Sequence, residues 1–394
     1  MRMTCLKLVT GVLIGTGAAQ ADTAQPADME PVSAIIRSQF ETHALNSLIV
    51  QVRIGGDVVL TQALGQAMTG VPVTVDGQFR NGAVALNYMA ALALRLAEDG
   101  LIDLDAPIAR WLPDLPGSDT ATVRMLANMT AGYPDHVANT ESFVDPYLED
   151  PFAHWTPQDL IAVSLSTPRI FAPGTNWDYS HSDYVILGQV LETATGRPMA
   201  ELMQDYVLDP LGLDHTFAFD TAQIPGPVVH GFSAERGVWE DATFWNPSWT
   251  LARGAIQVTT ISDMAGSFDA IVGTDGFLTP RSRRQMIEPV LIGFGEPLAG
   301  CPTCPTMTET FSYGLGAMLQ GDWVFQTPLF AGFASAVGTL PDEKAQGGRI
   351  TIAAASTYKR SSVADWDAGL PNWADETVRL IAAELVPQNP PPMR

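Results

Sequence analysis

The sequence predicts an α+β protein: one antiparallel β-sheet flanked by the N- and C-terminal helices, with a mostly helical lobe inserted between its strands. Three observations predict it. β-type runs cluster at the two ends of the chain, over 47–63 and 314–354. Helical periodicities broken by Pro/Gly loops fill 122–286. Amphipathic segments bracket the whole at 31–44 and 373–385. Strands so far apart in sequence bury their apolar faces by pairing in one sheet. The middle is then left as a second lobe, and the cleft between the lobes is the natural ligand site.

Residues 1–21 read as a secretory signal peptide. Arg2 and Lys7 are basic, Leu8 to Ala18 is weakly apolar, and Ala19-Gln20-Ala21 is a small-x-small cleavage site. The apolar run falls well short of the ~20 residues a membrane span needs, and no later run reaches that length. The expectation is an exported protein, periplasmic or secreted, without a membrane span. Residues 22–30 form a polar linker. The folded domain covers 31–386, with a sheet lobe over about 31–115 and 312–386 and a helical lobe over about 116–311. Residues 387–394 (QNPPPMR and its preceding Pro) are expected as a disordered tail.

Within the domain, 31–44 places Ile35, Ile36 and Phe40 on one helical face. Ser47 to Ile54 and Val58 to Ala63 are β-type runs joined at Gly55-Gly56, a hairpin signal. Asn87 to Leu101 is helical and stops at Gly100. Thr250 to Ile271 and Pro280 to Met286 read as helices, and β-type runs return at Gly314 to Leu319, Trp323 to Gln326, Ala334 to Leu340 and Arg349 to Ala354. Trp373 to Leu385 closes as an amphipathic helix.

Of 394 residues, 46% are apolar and 16% charged, enough for a large core. The 43 acidic and 21 basic residues give −22, a charge that repels phosphate backbones and argues against nucleic-acid binding. Lysine is scarce: Lys7, Lys344 and Lys359 are the full set. Cys301 and Cys304 sit in CPTCP, where flanking prolines and Gly300 indicate a loop rather than a redox helix. No second cysteine pair or nearby histidine completes a zinc site, so a local disulfide is expected.

No Gly-x-Ser-x-Gly, His-Glu-x-x-His or phosphate loop is present. The segment from His136 to His154, with Asp135, Asp145 and Asp150, has groups that could hold a cation, but it reads first as a solvated loop. One dense polar cluster stands out, Asp178-Tyr179-Ser180-His181-Ser182-Asp183, opening a helix. Ser180, Ser182 and Asp183 read there as helix caps. Neighbours in sequence point different ways, so these residues form no Ser-His-Asp relay among themselves.

The order of segments resembles the serine β-lactamase and penicillin-binding-protein superfamily, in its class C β-lactamase, D-alanyl-D-alanine carboxypeptidase and esterase branch. FRNGAVALNYMAALALRLAEDGLIDLDAPIARWLPDLP is similar to that family's nucleophile helix and following connection. TVRMLANMTAGYPD, FAPGTNWDYSHSDYVILGQVLETATGRPM, YVLDPLGLDHTFA and YGLGAML resemble later landmarks. The resemblance implies a Ser-x-x-Lys pair, in which serine attacks a carbonyl and lysine handles its proton. Here Ala83 stands at the serine and Leu86 at the lysine, in Ala83-Val84-Ala85-Leu86. The family's Tyr-x-Asn reads Tyr179-Ser180-His181, keeping the tyrosine. Its Lys-Thr-Gly reads Gln326-Thr327-Pro328, without the cation or the glycine. Ser356-Thr357-Tyr358-Lys359 is a chance match at the end of a β-type run, and Lys344 lies in a polar turn.

The expectation is therefore a β-lactamase-related protein that has lost serine-hydrolase activity and binds or scaffolds. Ala83, Leu86, Tyr179, His181, Gln326 and Thr327 mark the degenerate site, and Tyr179, His181, Gln326 and Thr327 line its cleft. The alternative is a weak carboxypeptidase-, esterase- or β-lactamase-type hydrolase using Tyr179 or His181. The expected ligand is a peptidoglycan-like peptide or a small acyl compound, with no metal or other cofactor. The oligomeric state is left open.

Overall fold

A computed structural model describes residues 29–393 apart from positions 220, 302, 367 and 368. The expected signal peptide, Cys5 and most of the linker lie outside the described residues. Helix α1 (Glu30–Thr42) starts on Pro31, whose fixed φ and missing N–H suit a first turn. Gly55 and Gly56, both at positive φ, fold β1 (Ser47–Ile54) back onto β2 (Asp57–Met68). Short β3 (Val71–Pro72) extends the edge, and β4 (Phe79–Arg80) leads into α2 (Val84–Glu98).

The helical lobe carries α3 (Val123–Ala127), α4 (Asp145–Glu149), α5 (Pro157–Leu165), α6 (His181–Thr195), α7 (Met199–Met203) and α8 (Asp209–Leu211). A small hairpin of β5 (Phe232–Ser233) and β6 (Glu240–Asp241) follows, and then β7 (Val258–Thr259), which pairs with β4. Helices α9 (Ile261–Phe268) and α10 (Pro280–Ile287) finish the lobe. The chain returns through β8 (Ser312–Tyr313), β9 (Met318–Gln320), β10 (Trp323–Gln326), β11 (Leu329–Phe330), β12 (Phe333–Leu340) and β13 (Ile350–Thr357), and closes on α11 (Trp373–Leu385).

The sheet order is β3-β2-β1-β13-β12-β10-β9-β8, with β11 beside β12, and every pairing is antiparallel. The two ends of the chain meet at its centre, where Val50 lies opposite Ala354 and Val52 opposite Ile352. Strand alternation sorts β1 onto two faces. Leu48, Val50 and Val52 join α1 and α11 residues such as Ile36, Val378 and Ile381 in one core. Ile49 points to the other core, with α2, α6 and α9. Gln51, also on that face, donates to Thr61 and to Ser262 of α9. Helices pack on both faces at β13, which explains its run Ala353-Ala354-Ala355: larger side chains there would hold the helices off.

Two expectations change. The span 250–271 is not one helix: Gly254 at positive φ and the Thr260 cap confine the helix to α9, and strand β7 lies before it. Residues 387–393, expected as a disordered end, are held against the sheet lobe. Trp323 Nε1 donates to the Asn389 carbonyl, Asn389 donates to Asp322, and buried Arg379 donates to the Pro392 carbonyl. Among the described residues no helix is long and apolar enough to cross a membrane.

Candidate functional site

Strand β4 delivers the chain to the start of α2, and Gly82 makes the turn at positive φ. A Cβ there would stand 2.7 Å from the Pro328 ring, so the start of α2 is pressed against the β10–β11 connection. Ala83 occupies the N-cap of α2 with no side-chain cap bond. Its methyl group offers neither a nucleophile nor a proton acceptor. Leu86, one turn on, is completely buried in the same apolar cluster as Met89, Ala90 and Leu315.

Ala83, Tyr179, His181, Gln326 and Thr327 come together around one pocket of about 250 Å³, further walled by Trp249, Met318, Pro328 and Phe330. Leu86 does not line it. A leucine at that position gains most by turning into the core, worth roughly 1.5–3 kcal/mol for a buried aliphatic side chain. Gln326 is itself buried, and its Nε2 donates to the Gly316 carbonyl at 2.8 Å. Strand β10 ends at Gln326. Pro328 has no N–H to continue the ladder, and pairing resumes with Leu329 opposite Ala334.

The second wall comes from the loop before α6. Ser180 caps that helix by accepting from the Asp183 N–H, and its hydroxyl donates to the Tyr133 carbonyl. Ser182 and Asp183, expected as further caps, do other things. Ser182 Oγ bonds both the backbone N–H and Nδ1 of His136. Asp183 is buried, and that burial pushes its carboxyl far above the usual range. Burial also pushes the Tyr179 phenol well above its ordinary value. Without a cation beside it, Tyr179 keeps its proton and is a hydrogen-bond donor rather than a base.

The residues that sequence reasoning missed are Asp135, His136, Trp249 and Phe330. Asp135 accepts from His181 twice, from the backbone N–H at 3.2 Å and from Nδ1 at 2.9 Å, and also from the Val137 N–H. Burial works to raise the Asp135 carboxyl. The His181 ring, by charge and by hydrogen bond, outweighs it with help from His136 and Val137 and holds the group below the ordinary carboxylate range. A carboxylate only accepts, so Nδ1 of His181 carries the hydrogen toward Asp135, and only in the neutral ring does Nε2 then keep a lone pair. His136, placed by sequence in a solvated loop, is fully buried. Its Nε2 reaches the Trp249 carbonyl at 2.7 Å, and burial pushes its imidazole down to about 4. The Trp249 ring stacks on Phe330 with centroids 5.6 Å apart, forming one continuous aromatic wall. The tripeptide Tyr-Pro-Asp at 133–135 was on the page in the sequence, but no local pattern tied it to a histidine 46 positions away.

Cys301 and Cys304 form a disulfide. Asp178 lies beside both sulfurs, the one cluster of metal-ligand type among the described residues, but sulfurs joined to each other offer no thiolate. Its loop is tied to the pocket side of the lobe through Asn176, which donates to the Glu296 carbonyl and accepts from the Glu296 N–H.

A family model described as Beta-lactamase matches residues 32–370. Penicillin-binding protein 4* of Bacillus subtilis (strain 168) is 24% identical over 310 residues, covering 72% of this chain and 63% of its own length. Esterase EstB of Burkholderia gladioli is 26% identical over 281 residues, covering 63% of this chain and 71% of its own. Among solved structures, a D-stereospecific amidohydrolase from Streptomyces sp. superposes with a TM-score of 0.67 at 25% identity, covering 86% of this chain and 99% of that one. With a fold, a cleft and a family model that agree over most of the domain, the chain belongs to the Beta-lactamase family.

Proposed function

We propose that this protein is a non-acylating member of its family: it binds a small ligand in the Ala83–Tyr179–Gln326 pocket and forms no covalent intermediate with it. The observation that carries this reading is Ala83 itself, which meets the pocket at the start of α2 with a methyl group. Acyl transfer in this fold needs an oxygen at that point and a group one turn away to take its proton. Leu86 is turned into the core, and Lys344 is tied to Asp322 at 2.8 Å, outside the pocket's lining. On the resemblance, the Ala83 backbone N–H would serve as the oxyanion donor the family has at that position, which suits the pocket to a carbonyl oxygen. Export supports the same picture as a proposal: the segment before residue 22 has the form of a cleavable signal, and Cys301–Cys304 suits an oxidising compartment.

The test is turnover. Purified protein incubated with nitrophenyl esters of short acyl chains should release product no faster than buffer, while the same esters quench the Trp249 region's fluorescence on binding. Multiple turnovers blocked by His181→Ala would sink the reading.

One observation favours a second reading, a slow hydrolase: Asp135 holds Nδ1 of His181 beside the pocket, so in the neutral ring Nε2 is the nitrogen able to draw a proton from water. Removal of a nucleophile typically costs on the order of 10⁶ in kcat, so on this reading activity persists at a trace and vanishes with His181.

A further inference from the structure

The Cys301–Cys304 loop holds more than a staple requires. A local disulfide needs two sulfurs and a turn, and the Cys304 N–H donating to the Cys301 carbonyl supplies the turn. The structure adds a carboxylate from a distant segment: an oxygen of Asp178 and both sulfurs lie within 4.8 Å of one another. Asp178 Oδ1 is shielded from water and has no hydrogen-bond partner. Taking a carboxylate oxygen out of water without replacing its bonds is costly, and nothing about a disulfide offsets that cost. A cation held between the oxygen and the sulfurs would.

The ligand-bearing segments are already fixed against each other. Asn176 bonds both the N–H and the carbonyl of Glu296, and the Asp178 N–H donates to the Met129 carbonyl at 3.3 Å. Phe171, Ile170 and Leu298 pack around the sulfurs on one side. On the other, exposed Thr303 sets its hydroxyl 3.8 Å from Cys301 Sγ and marks the way to solvent. Groups placed in advance lose little freedom on binding an ion.

Two cysteines three positions apart can ligate one ion, each sulfur at ~2.3 Å from it, and the Cα atoms here are 5.4 Å apart. In the oxidised form the sulfurs are bonded to each other and offer no thiolate. An external dithiol changes that by thiol–disulfide exchange. The protein disulfide takes two electrons, the dithiol becomes its own disulfide, and its two hydrogens end on Cys301 and Cys304. A divalent cation then displaces both thiol protons to solvent. Thiolate sulfur selects soft or borderline ions of the zinc class over magnesium and calcium, which take oxygen ligands.

We infer that the reduced loop is a metal site: Cys301, Cys304 and Asp178 hold one zinc-class cation, with solvent in the fourth position, and the disulfide is the form that shuts the site. This stands apart from whatever the Ala83–Tyr179–Gln326 pocket binds.

The experiment uses cobalt(II) as a coloured probe. The full protein is reduced with dithiothreitol, desalted without oxygen and titrated, and the thiolate-to-cobalt charge-transfer absorption is followed. The expected result is one cobalt per chain, displaced by zinc and not by magnesium, and no absorption with the unreduced protein. Cys304→Ser should lose the absorption. Asp178→Ala should bind ~10-fold or more weaker while both thiols still titrate, and Asp178→Asn, which keeps the shape of the side chain, replaces it if the alanine variant does not fold. No absorption from the reduced protein at millimolar cobalt overturns the inference. So does an Asp178 variant that binds as tightly as its parent, which would leave a bare dithiol. A reduced protein that circular dichroism shows to be unfolded overturns it as well, because the carboxylate and the sulfurs would no longer meet.

Discussion

Replacing Leu86 by lysine restores the group the family carries there, and the structure says what that costs. Leu86 is fully buried among apolar side chains. An ammonium placed there sheds its water, and burial depresses a lysine pKa by as much as 3–5 units. If the folded protein takes the amine only in its neutral form, the cost at pH 7 is that of deprotonating a group with a reference pKa near 10.4. At ~1.36 kcal/mol per unit, the ceiling is about 4.6 kcal/mol. The sign follows from proton counting. The unfolded state binds one more proton than the folded state between the depressed folded pKa and ~10.4, so stability rises with pH across that window. The deficit is full below the folded pKa and disappears above ~10.4. Urea unfolding of Leu86→Lys and its parent at pH 7 and pH 9.5 should show a gap that closes by about 3 kcal/mol. Leu86→Met, which keeps volume and polarity, should cost under ~1.5 kcal/mol and ignore pH. A lysine variant as stable as its parent at pH 7, or one whose deficit does not move with pH, would show that position 86 still holds partners for a cation. The reasoning about a site rebuilt around leucine would then fail.

Other consequences are direct. Burial lowers the His136 imidazole to about 4. The unfolded protein therefore gains a proton near pH 6.5 that the folded protein refuses until about 4, and up to ~3 kcal/mol of stability is lost as pH falls through that window. The midpoint in urea should fall accordingly, and His136→Gln should flatten the profile. His136→Ala should cost about 1–3 kcal/mol at pH 7.5, because the buried Trp249 carbonyl loses its donor; an unchanged urea midpoint would count against that. Asp135→Asn should leave the chain folded but free the His181 ring, since the charged acceptor at Nδ1 is lost; His181 ring resonances unchanged by NMR would oppose the assignment. Reducing Cys301–Cys304 to two thiols releases the constraint on a very short loop, so the loss should be roughly 1–2 kcal/mol, read from thermal melts with and without dithiothreitol.

Much of the fold was legible because its signals are local or periodic. Gly55-Gly56 between alternating apolar runs announces β1 and β2, and the return of β-type runs after 312 announces their partners. The helix limits in 250–271 were not legible, because apolar residues there serve a strand and a loop as well as α9, and periodicity alone does not separate them. At the site, motif spacing pointed to Ala83, Tyr179, His181, Gln326 and Thr327, which the fold brings around one pocket. Leu86 follows its own hydrophobicity into the core instead. Asp135, Trp249 and Phe330 escaped notice because their roles exist only in tertiary contact: a carboxylate against a ring across 46 residues, and two rings meeting from the helical lobe and the sheet.

The central claim is that no acyl-enzyme forms, and intact mass spectrometry tests it most directly. The protein is incubated with excess fluorescent penicillin and, separately, with an activated nitrophenyl ester, then quenched and weighed. The account predicts an unshifted mass for the unmodified protein and for Ala83→Ser, whose hydroxyl has no base beside it. Slow labelling is expected only when Ala83→Ser is combined with Leu86→Lys. A stoichiometric adduct on the unmodified protein, mapped to any serine, would contradict the account.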